Sequence, residues 1–346
     1  MSFSEKFIHS NFIIKLRNWE YWPFGIIHLP VIFYYLWLSF RSKSFIFFSA
    51  SNPGIAMGGM FGESKYDVLK KVPPQYVPVT LLIRYPMSSQ EILALMDQHR
   101  LTFPVIFKPD LGERGFRVTR IETMEDIEAY LASCKSDFLI QELVDLPLEF
   151  GVFYVRYPSK PSGGVTSVVM KEMLAVTGDG KSSLQELILQ KDRAKLQWST
   201  LRKAYGSRLH EVLPKGENLQ LVHIGNHCLG TKFLDGSHLI NSEISSTFDL
   251  ISKQIEGFYF GRFDIRCASL DDLYSGNISV MELNGCGAEP GHIYHPGYSL
   301  RQAVAELIRH WRNIFVIARE NVGRGKAYTS FAEALSYYRK FKAALK

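Results

Sequence analysis

Two short runs in the C-terminal third of this chain, Arg262-Phe263-Asp264 and Glu282-Leu283-Asn284, bring together residue types that can do chemistry. The surrounding sequence reads GFYFGRFDIRCASLDDLYSGNISVMELNGCGAEP. It predicts two strands, 257–268 and 278–283, joined by the polar turn DDLYSGN. Side chains alternate along a strand, so Arg262, Asp264 and Arg266 share one face, and Glu282 and Asn284 share one face of the partner. If the faces coincide, two carboxylates and an amide converge beside two guanidinium groups. Oxygen donors of this kind suit magnesium, a hard ion that also takes oxygens from nucleotide phosphates. An acid pair in a core without a metal is costly. An exposed hairpin with ordinary surface charge is the alternative. The intervening Phe263, Ile265, Met281 and Leu283 favour a packed sheet instead.

A second group lies upstream. FPVIFK, residues 103–108, predicts a strand that ends in Lys108 and runs into a loop containing Gly112, Glu113, Arg114 and Gly115. A lysine at a strand end beside a glycine loop can hold a phosphate, which backbone N–H groups of the loop can also line. A plain hairpin turn fits the glycines equally well. A helix over 124–135 follows, with Thr123 as its N-cap. The strand FLIQELV, 138–144, carries Glu142, Leu143 and Val144. Its exit can offer backbone groups to an adenine edge, and Glu149 can accept from ribose hydroxyls. Lys171, in the strand predicted over 165–172, is a second candidate phosphate ligand or a solvated edge lysine.

These pieces, in this order, resemble the ATP-grasp superfamily, especially carboxylate–amine ligases of the D-alanine–D-alanine ligase type. The resemblance spans roughly residues 45–320 and rests on six motifs. It implies an α+β fold in which two subdomains grip ATP. It implies Lys108 and Lys171 on phosphates, Gly112, Arg114 and Gly115 in a loop over them, Glu142, Leu143 and Val144 beside adenine, and Glu149 on ribose. It also implies two Mg2+ ions, replaceable by Mn2+, on Asp264, Glu282 and Asn284, with Arg262 stabilising the acyl-phosphate and its tetrahedral adduct. Three departures stand out. The loop over the phosphates contains Glu113 and Arg114, the first lobe is short with no acid placed for a D-alanine, and residues 173–240 do not follow the dipeptide ligases. The segment VTGDGKSSL, 176–184, is similar to glutathione- and cyanophycin-synthetase-like branches. Position 175 is Ala, so this is not a Walker A loop. It reads as a turn feeding a helix with Ser183 and Glu186 as a capping box.

The remaining candidates sit in loops. Asn226 and His227 face either substrate or nothing in particular. His223 and His227 are four apart, but Ile224 occupies the place where a zinc protease carries Glu. The loop after Asn284, GCGAEPGHIYHPGYS, offers Glu289 and His292 to a carboxylate substrate, and Arg266 can join them. The four cysteines show no CxxC spacing and read as reduced, packed thiols.

The elements that must position these groups need a real core, and the chain has one. It is 346 residues long, with 46% hydrophobic and 21% charged residues, a net charge of +6 and a pI near 9.0. The cations are scattered, which argues against nucleic acid as a partner and for weak attraction to anionic lipid or phosphate-rich ligands. Residues 44–50 read as a buried strand, 52–62 as a glycine-rich loop, 64–71 as a short helix, 79–83 as a strand and 88–99 as an amphipathic helix capped by Ser88 or Ser89. The predicted division is a hydrophobic N-terminal segment (1–43), a short α/β lobe (44–100), an ATP-grasp domain (101–322) and a C-terminal helix (323–346). Residues 21–40, YWPFGIIHLPVIFYYLWLSF, hold no acid and no lysine or arginine, with Arg41 and Lys43 next. Three readings stand open: the segment lies in a membrane interface, spans the bilayer once, or forms a buried helical hairpin over the body. The expected location is cytoplasmic, with or without attachment to the inner membrane face. The function implied is ATP-dependent joining of a small-molecule or lipid-linked carboxylate to an amine. A phosphotransferase and a non-catalytic ATP-binding membrane partner are the rivals.

Overall fold

The structure, a computed structural model, describes residues 10–113, 115–222, 225 and 227–344. The described residues begin with α1 (Asn11–Arg17) and α2 (Phe24–Ser42). A 3-10 turn at Phe47–Ala50 and a glycine-rich loop lead to α3 (Lys65–Leu69). The first sheet then forms around β1 (Thr80–Ile83), α4 (Ser89–Gln98), β2 (Val105–Pro109), β3 (Thr119–Ile121), α5 (Met124–Ser133) and β4 (Phe138–Glu142). Next come β5 (Leu148–Val155), β6 (Gly164–Glu172) and β7 (Ala175–Thr177). The helices α6 (Leu184–Gln190), α7 (Asp192–Leu196) and α8 (Trp198–Tyr205) follow, then β8 (Asn218–Gln220) and β9 (Lys232–Asp235). The body closes with α9 (Ser242–Lys253), β10 (Phe260–Cys267), α10 (Leu270–Ser275), β11 (Ser279–Asn284), α11 (Leu300–Gly323) and α12 (Phe331–Ala344).

The fold is α+β, built on antiparallel sheets. The first has the order β1-β4-β2-β3 and buries its core under α4 and α5, with Ile92, Phe107, Ile127 and Phe138 all fully inside. The second has the order β11-β10-β5-β6-β9 and packs Val152, Tyr154, Phe263 and Ile265 against Phe248 of α9. The small pair β7-β8 gathers α6–α8 around its own core of Leu184, Ile188 and Leu201. Helix starts follow the side chains that can satisfy their first N–H groups. Ser88, Thr123 and Ser183 each form a reciprocal capping box with the acid three residues on.

Three expectations change. Residues 44–50 are not a strand. Phe47, Phe48 and Ala50 are buried on all sides of a tight turn against α11, so the apolar run carries no strand period. Residues 44–100, expected as a lobe of their own, hold one strand, β1, and it pairs outside them with β4, Thr80 opposite Gln141. The link between β10 and β11 is a helix rather than a turn. Ser269 caps α10, and Gly276 ends it in the left-handed conformation.

The N-terminal segment lies on the body. Ile27 and Val31 of α2 pack with Ile293, Ala303 and Leu307, and Leu38 joins the core formed by Phe47, Phe315 and Ile317. No helix among the described residues is long and apolar enough to cross a membrane. The single-span reading therefore gives way to a helix laid along α11, because one side of α2 is occupied by protein. The hairpin reading gives way too, because residues 24–42 form one continuous helix: one side is buried on the body, and Ile26, Phe33 and Phe40 on the other side are exposed.

Candidate active site

Alternation on β10 does what the sequence predicts. Phe263, Ile265 and Cys267 point into the core, and Arg262, Asp264 and Arg266 point away from it. The pairing with β11 sets Asp264 opposite Glu282 and Arg262 opposite Asn284, with a bulge just beyond Asp264. Asn284 Nδ2 donates to Asp264 Oδ2 at 2.9 Å, and Arg262 Nη2 donates to the same oxygen at 3.0 Å. On the other flank, β5 sets Gly151 opposite Asp264. A Cβ at Gly151 would stand 3.1 Å from Arg262 Cδ and 3.4 Å from Asp264 Oδ1, so glycine leaves the width this pair occupies.

Lys171 of β6 completes a buried ion network. Its Nζ lies 3.0 Å from both Asp264 Oδ1 and Glu149 Oε1. Glu149 Oε2 accepts from Arg266 Nη2 at 2.8 Å, and Arg266 Nη1 donates to the Val144 carbonyl at 2.9 Å. Burial alone would raise the Asp264 pKa, but Arg262 and Lys171 outweigh it and hold the carboxyl down at about 2. Burial likewise pulls Lys171 down, yet Asp264 and Glu149 leave it above the ordinary lysine value.

Lys108 reaches this group from the other sheet. Its Nζ donates to Gln141 Oε1 at 2.9 Å and to the Met281 carbonyl of β11 at 3.0 Å. Burial brings its pKa down to about 8, against the attraction of Glu282. The two sheets thus meet at a lysine and at the residue before Glu282. Lys65 also approaches, 3.7 Å from Glu282 Oε1, and donates to the carbonyl of Gly112. Gly112 and Gly115 both lie at positive φ in the loop that leaves β2. Arg114, expected in that loop, and Asn226 lie outside the described residues.

The other expected residues have partners of their own. Glu142 is exposed, and its Oε2 accepts from the Val79 N–H at 3.2 Å; Leu143 is half-buried beside it. Glu289 Oε1 is 2.7 Å from His28 Nε2 of α2, and Tyr294 donates to Oε2. His227 Nε2 is 2.7 Å from Glu20, whose other oxygen accepts from Arg193 at 2.8 Å. His292 Nδ1 is 2.7 Å from Ser167 Oγ, on the same face of β6 as Lys171 and four residues along the strand from it. So Glu289 and His227 face the N-terminal segment, and His292 faces the sheet.

Sequence reasoning missed Lys65, and it missed Glu63. Glu63 follows the loop GGMFG, and its Oε2 is buried with no hydrogen-bond partner among the described residues. Burial pushes its pKa up, with Lys65 opposing and Glu282 and Glu113 adding to the rise. The glycine loop brings it there. Cys286 N–H and Gly287 N–H donate to the Gly58 and Gly59 carbonyls, and a Cβ at Gly59 would stand 2.6 Å from Gly285 Cα. The signal in the sequence was the double glycine ahead of an acid, in a stretch read only as a loop.

The donor set fits a hard cation by its chemistry: Asp264, Glu282 and Asn284 are all oxygen-bearing and adjacent across two strands. No group of three or more His, Cys, Asp or Glu residues suited to a metal occurs among the described residues.

No protein-family model matches the sequence, and no curated protein matches it. Solved structures do. A bifunctional glutathione synthetase from Pasteurella multocida is 16% identical, with a TM-score of 0.37, over 70% of this chain and 35% of its own. The VanG D-Ala:D-Ser ligase from Enterococcus faecalis is 15% identical, with a TM-score of 0.42, over 74% of this chain and 64% of its own. A D-alanine–D-alanine ligase from Bacillus anthracis is 12% identical, with a TM-score of 0.41, over 78% and 72%. The chain is thus similar, at low identity, to solved structures of three ligases. It spans about a third of the first of these and just under two thirds of the second.

Proposed function

We propose that this protein is an ATP-dependent ligase that joins a carboxylate to an amine through an acyl-phosphate. The observation that carries the reading is the meeting of Lys108, from the first sheet, with β11 of the second at Met281, beside Glu282 and opposite Asp264. A cation suited to phosphate and a pair of magnesium-type oxygen donors then lie together where the two sheets meet. We also propose residues 101–322 as the catalytic unit, working on the cytoplasmic side of a membrane surface.

Lys108 and Lys171 hold phosphate oxygens as charge-assisted donors. The Gly112–Gly115 loop supplies N–H groups over them and, by closing, keeps water from the reactive anhydride. Glu142, Leu143, Val144 and Glu149 are the residues assigned to the nucleoside. Glu149 can accept from ribose only by loosening its bonds to Lys171 or Arg266. Asp264, Glu282 and Asn284 would hold two Mg2+ ions, which neutralise phosphate charge when bound. The substrate carboxylate attacks the γ-phosphorus, and the bond to the ADP oxygen breaks. The amine then attacks the acyl carbon, phosphate leaves, and the amine proton is lost to solvent or to a nearby base. Arg262 offers fixed positive charge where the oxyanion develops. Glu63, with one buried carboxylate oxygen unsatisfied, is suited to hold an ammonium group, which points to an amino-bearing substrate.

Purified protein given ATP, magnesium and pools of amino acids should release free phosphate and yield a product whose mass is the sum of two substrates minus water. Label retained on the product as a phosphate ester would make the protein a phosphotransferase. ATP binding without turnover on any pool would favour the non-catalytic reading.

A further inference from the structure

The outer side of α2 has a chemistry that the ligase reading does not use. Ile26, Leu29, Phe33, Leu36, Trp37 and Phe40 follow one another at helical spacing and are between 45% and 84% exposed. From Ile26 to Phe40 the strip runs about 21 Å at 1.5 Å per residue. A contiguous ridge of this kind is not ordinary surface. The inner side of the same helix is packed against the body, so the ridge is not half of an unformed core.

Along the ridge's own stretch of chain the charges have one sign. Residues 21–62 contain no Asp or Glu, and exposed Arg41 and Lys43 close the helix. The neighbouring helix adds to this. Arg301, Arg312 and Arg319 of α11 are exposed and spaced by eleven and seven residues, close to whole turns, so they form a row on one face. That row runs beside α2: Arg319 and Arg41 stand over the same Phe315 ring, at 5.7 and 5.8 Å, and Trp311 packs edge-on to Tyr35 of α2. An apolar ridge bordered by guanidinium groups matches a surface that offers acyl chains and phosphates together.

We propose that α2 and the arginine row of α11 form a docking face for an anionic lipid bilayer, with α2 lying in the plane of the interface. The aromatic side chains sink to the level of the acyl boundary, and Arg41, Arg312 and Arg319 meet lipid phosphates at its rim. The inference rests on this surface alone and stands or falls apart from the ligase reading.

The test is flotation of the full-length protein with vesicles of phosphatidylcholine, with and without phosphatidylglycerol. Wild type should float with the anionic vesicles and far less with the neutral ones. Phe33→Ser with Phe40→Ser, and separately Arg312→Glu with Arg319→Glu, should each cut the bound fraction about tenfold or more. All four positions are exposed, so circular dichroism and ATP binding should match wild type. Protein that stays at the bottom of the gradient with both vesicle types overturns the proposal. So does equal flotation on neutral vesicles, or a dimer in solution that Phe33→Ser with Phe40→Ser dissolves while no vesicle binding is seen.

Discussion

Glu282 and Glu63 are neighbours in charge but differ in circumstance. Glu282 is a third exposed, and its nearest cation is Lys65 at 3.7 Å. Little of the fold depends on it, so Glu282→Ala should keep the melting temperature and lose about a thousandfold in turnover, the scale of several kcal/mol of charge stabilisation. Near-normal turnover at saturating magnesium would sink the metal assignment. Glu63 hides an unsatisfied oxygen. Glu63→Gln should leave stability equal or slightly higher and raise KM for the amino-bearing substrate about tenfold or more, while the KM for ATP stays put. Equal effects on both constants would mean that Glu63 shapes the site without touching substrate. At this scale the sequence was informative where chemistry and period coincide. Arg262, Asp264 and Arg266 were legible because alternation sorts one strand into two faces. Glu63 was not, because a glycine loop has no period to say where its side chains point.

The glycine-rich loop is held by its backbone bonds to Cys286 and Gly287 and by one buried side chain, Asn52. Asn52 Oδ1 accepts from the Tyr259 and Phe260 N–H groups at 2.9 and 3.0 Å, and its Nδ2 donates to the Phe260 and Gly58 carbonyls at 2.7 and 2.9 Å. It pins the loop to the first residues of β10. Asn52→Ala should cost about 3 kcal/mol, since buried backbone groups lose partners, and should appear as a lower midpoint in urea. A loss under ~0.5 kcal/mol would mean that the loop holds itself. Capping boxes at Ser88, Thr123 and Ser183 were readable because they are local. The partner of β1 was not: Thr80 meets Gln141 across 61 residues, and no local pattern records such a pairing. The aromatic run at 44–50 misled for a related reason, since a fully buried run has the same composition in a strand or a turn.

Across the whole molecule, α11 ties the N-terminal helix to the five-stranded sheet, and His310 sits inside that junction against Phe153, Phe260 and Trp311. Burial pulls its pKa down to about 4, against the attraction of Glu289. The unfolded chain takes up the proton near pH 6.5 and the folded one only near 4. Stability should therefore be complete above pH 6.5 and fall by about 3 kcal/mol as pH drops from there through 4. Urea melts of wild type and His310→Phe across that range check this: the variant should lose less stability on acidification. Parallel curves would mean that His310 takes up its proton with little cost in the fold. Contacts of this reach, such as His28 with Glu289 across 261 residues, were invisible in the sequence, which offered α2 only as an apolar run.

That same His28 has a further consequence. Glu289 belongs to the loop that leaves β11, and Arg262 Nη1 donates to its backbone carbonyl at 3.5 Å. The helix that carries the apolar ridge therefore grips the loop next to the proposed reaction centre. Thermodynamic reciprocity then fixes a relation between two assays that share no reagent. Whatever factor the lipid surface applies to substrate affinity, saturating substrate must apply to vesicle partitioning. A partition curve recorded with and without substrate measures the communication between them directly, whether that factor is large or one.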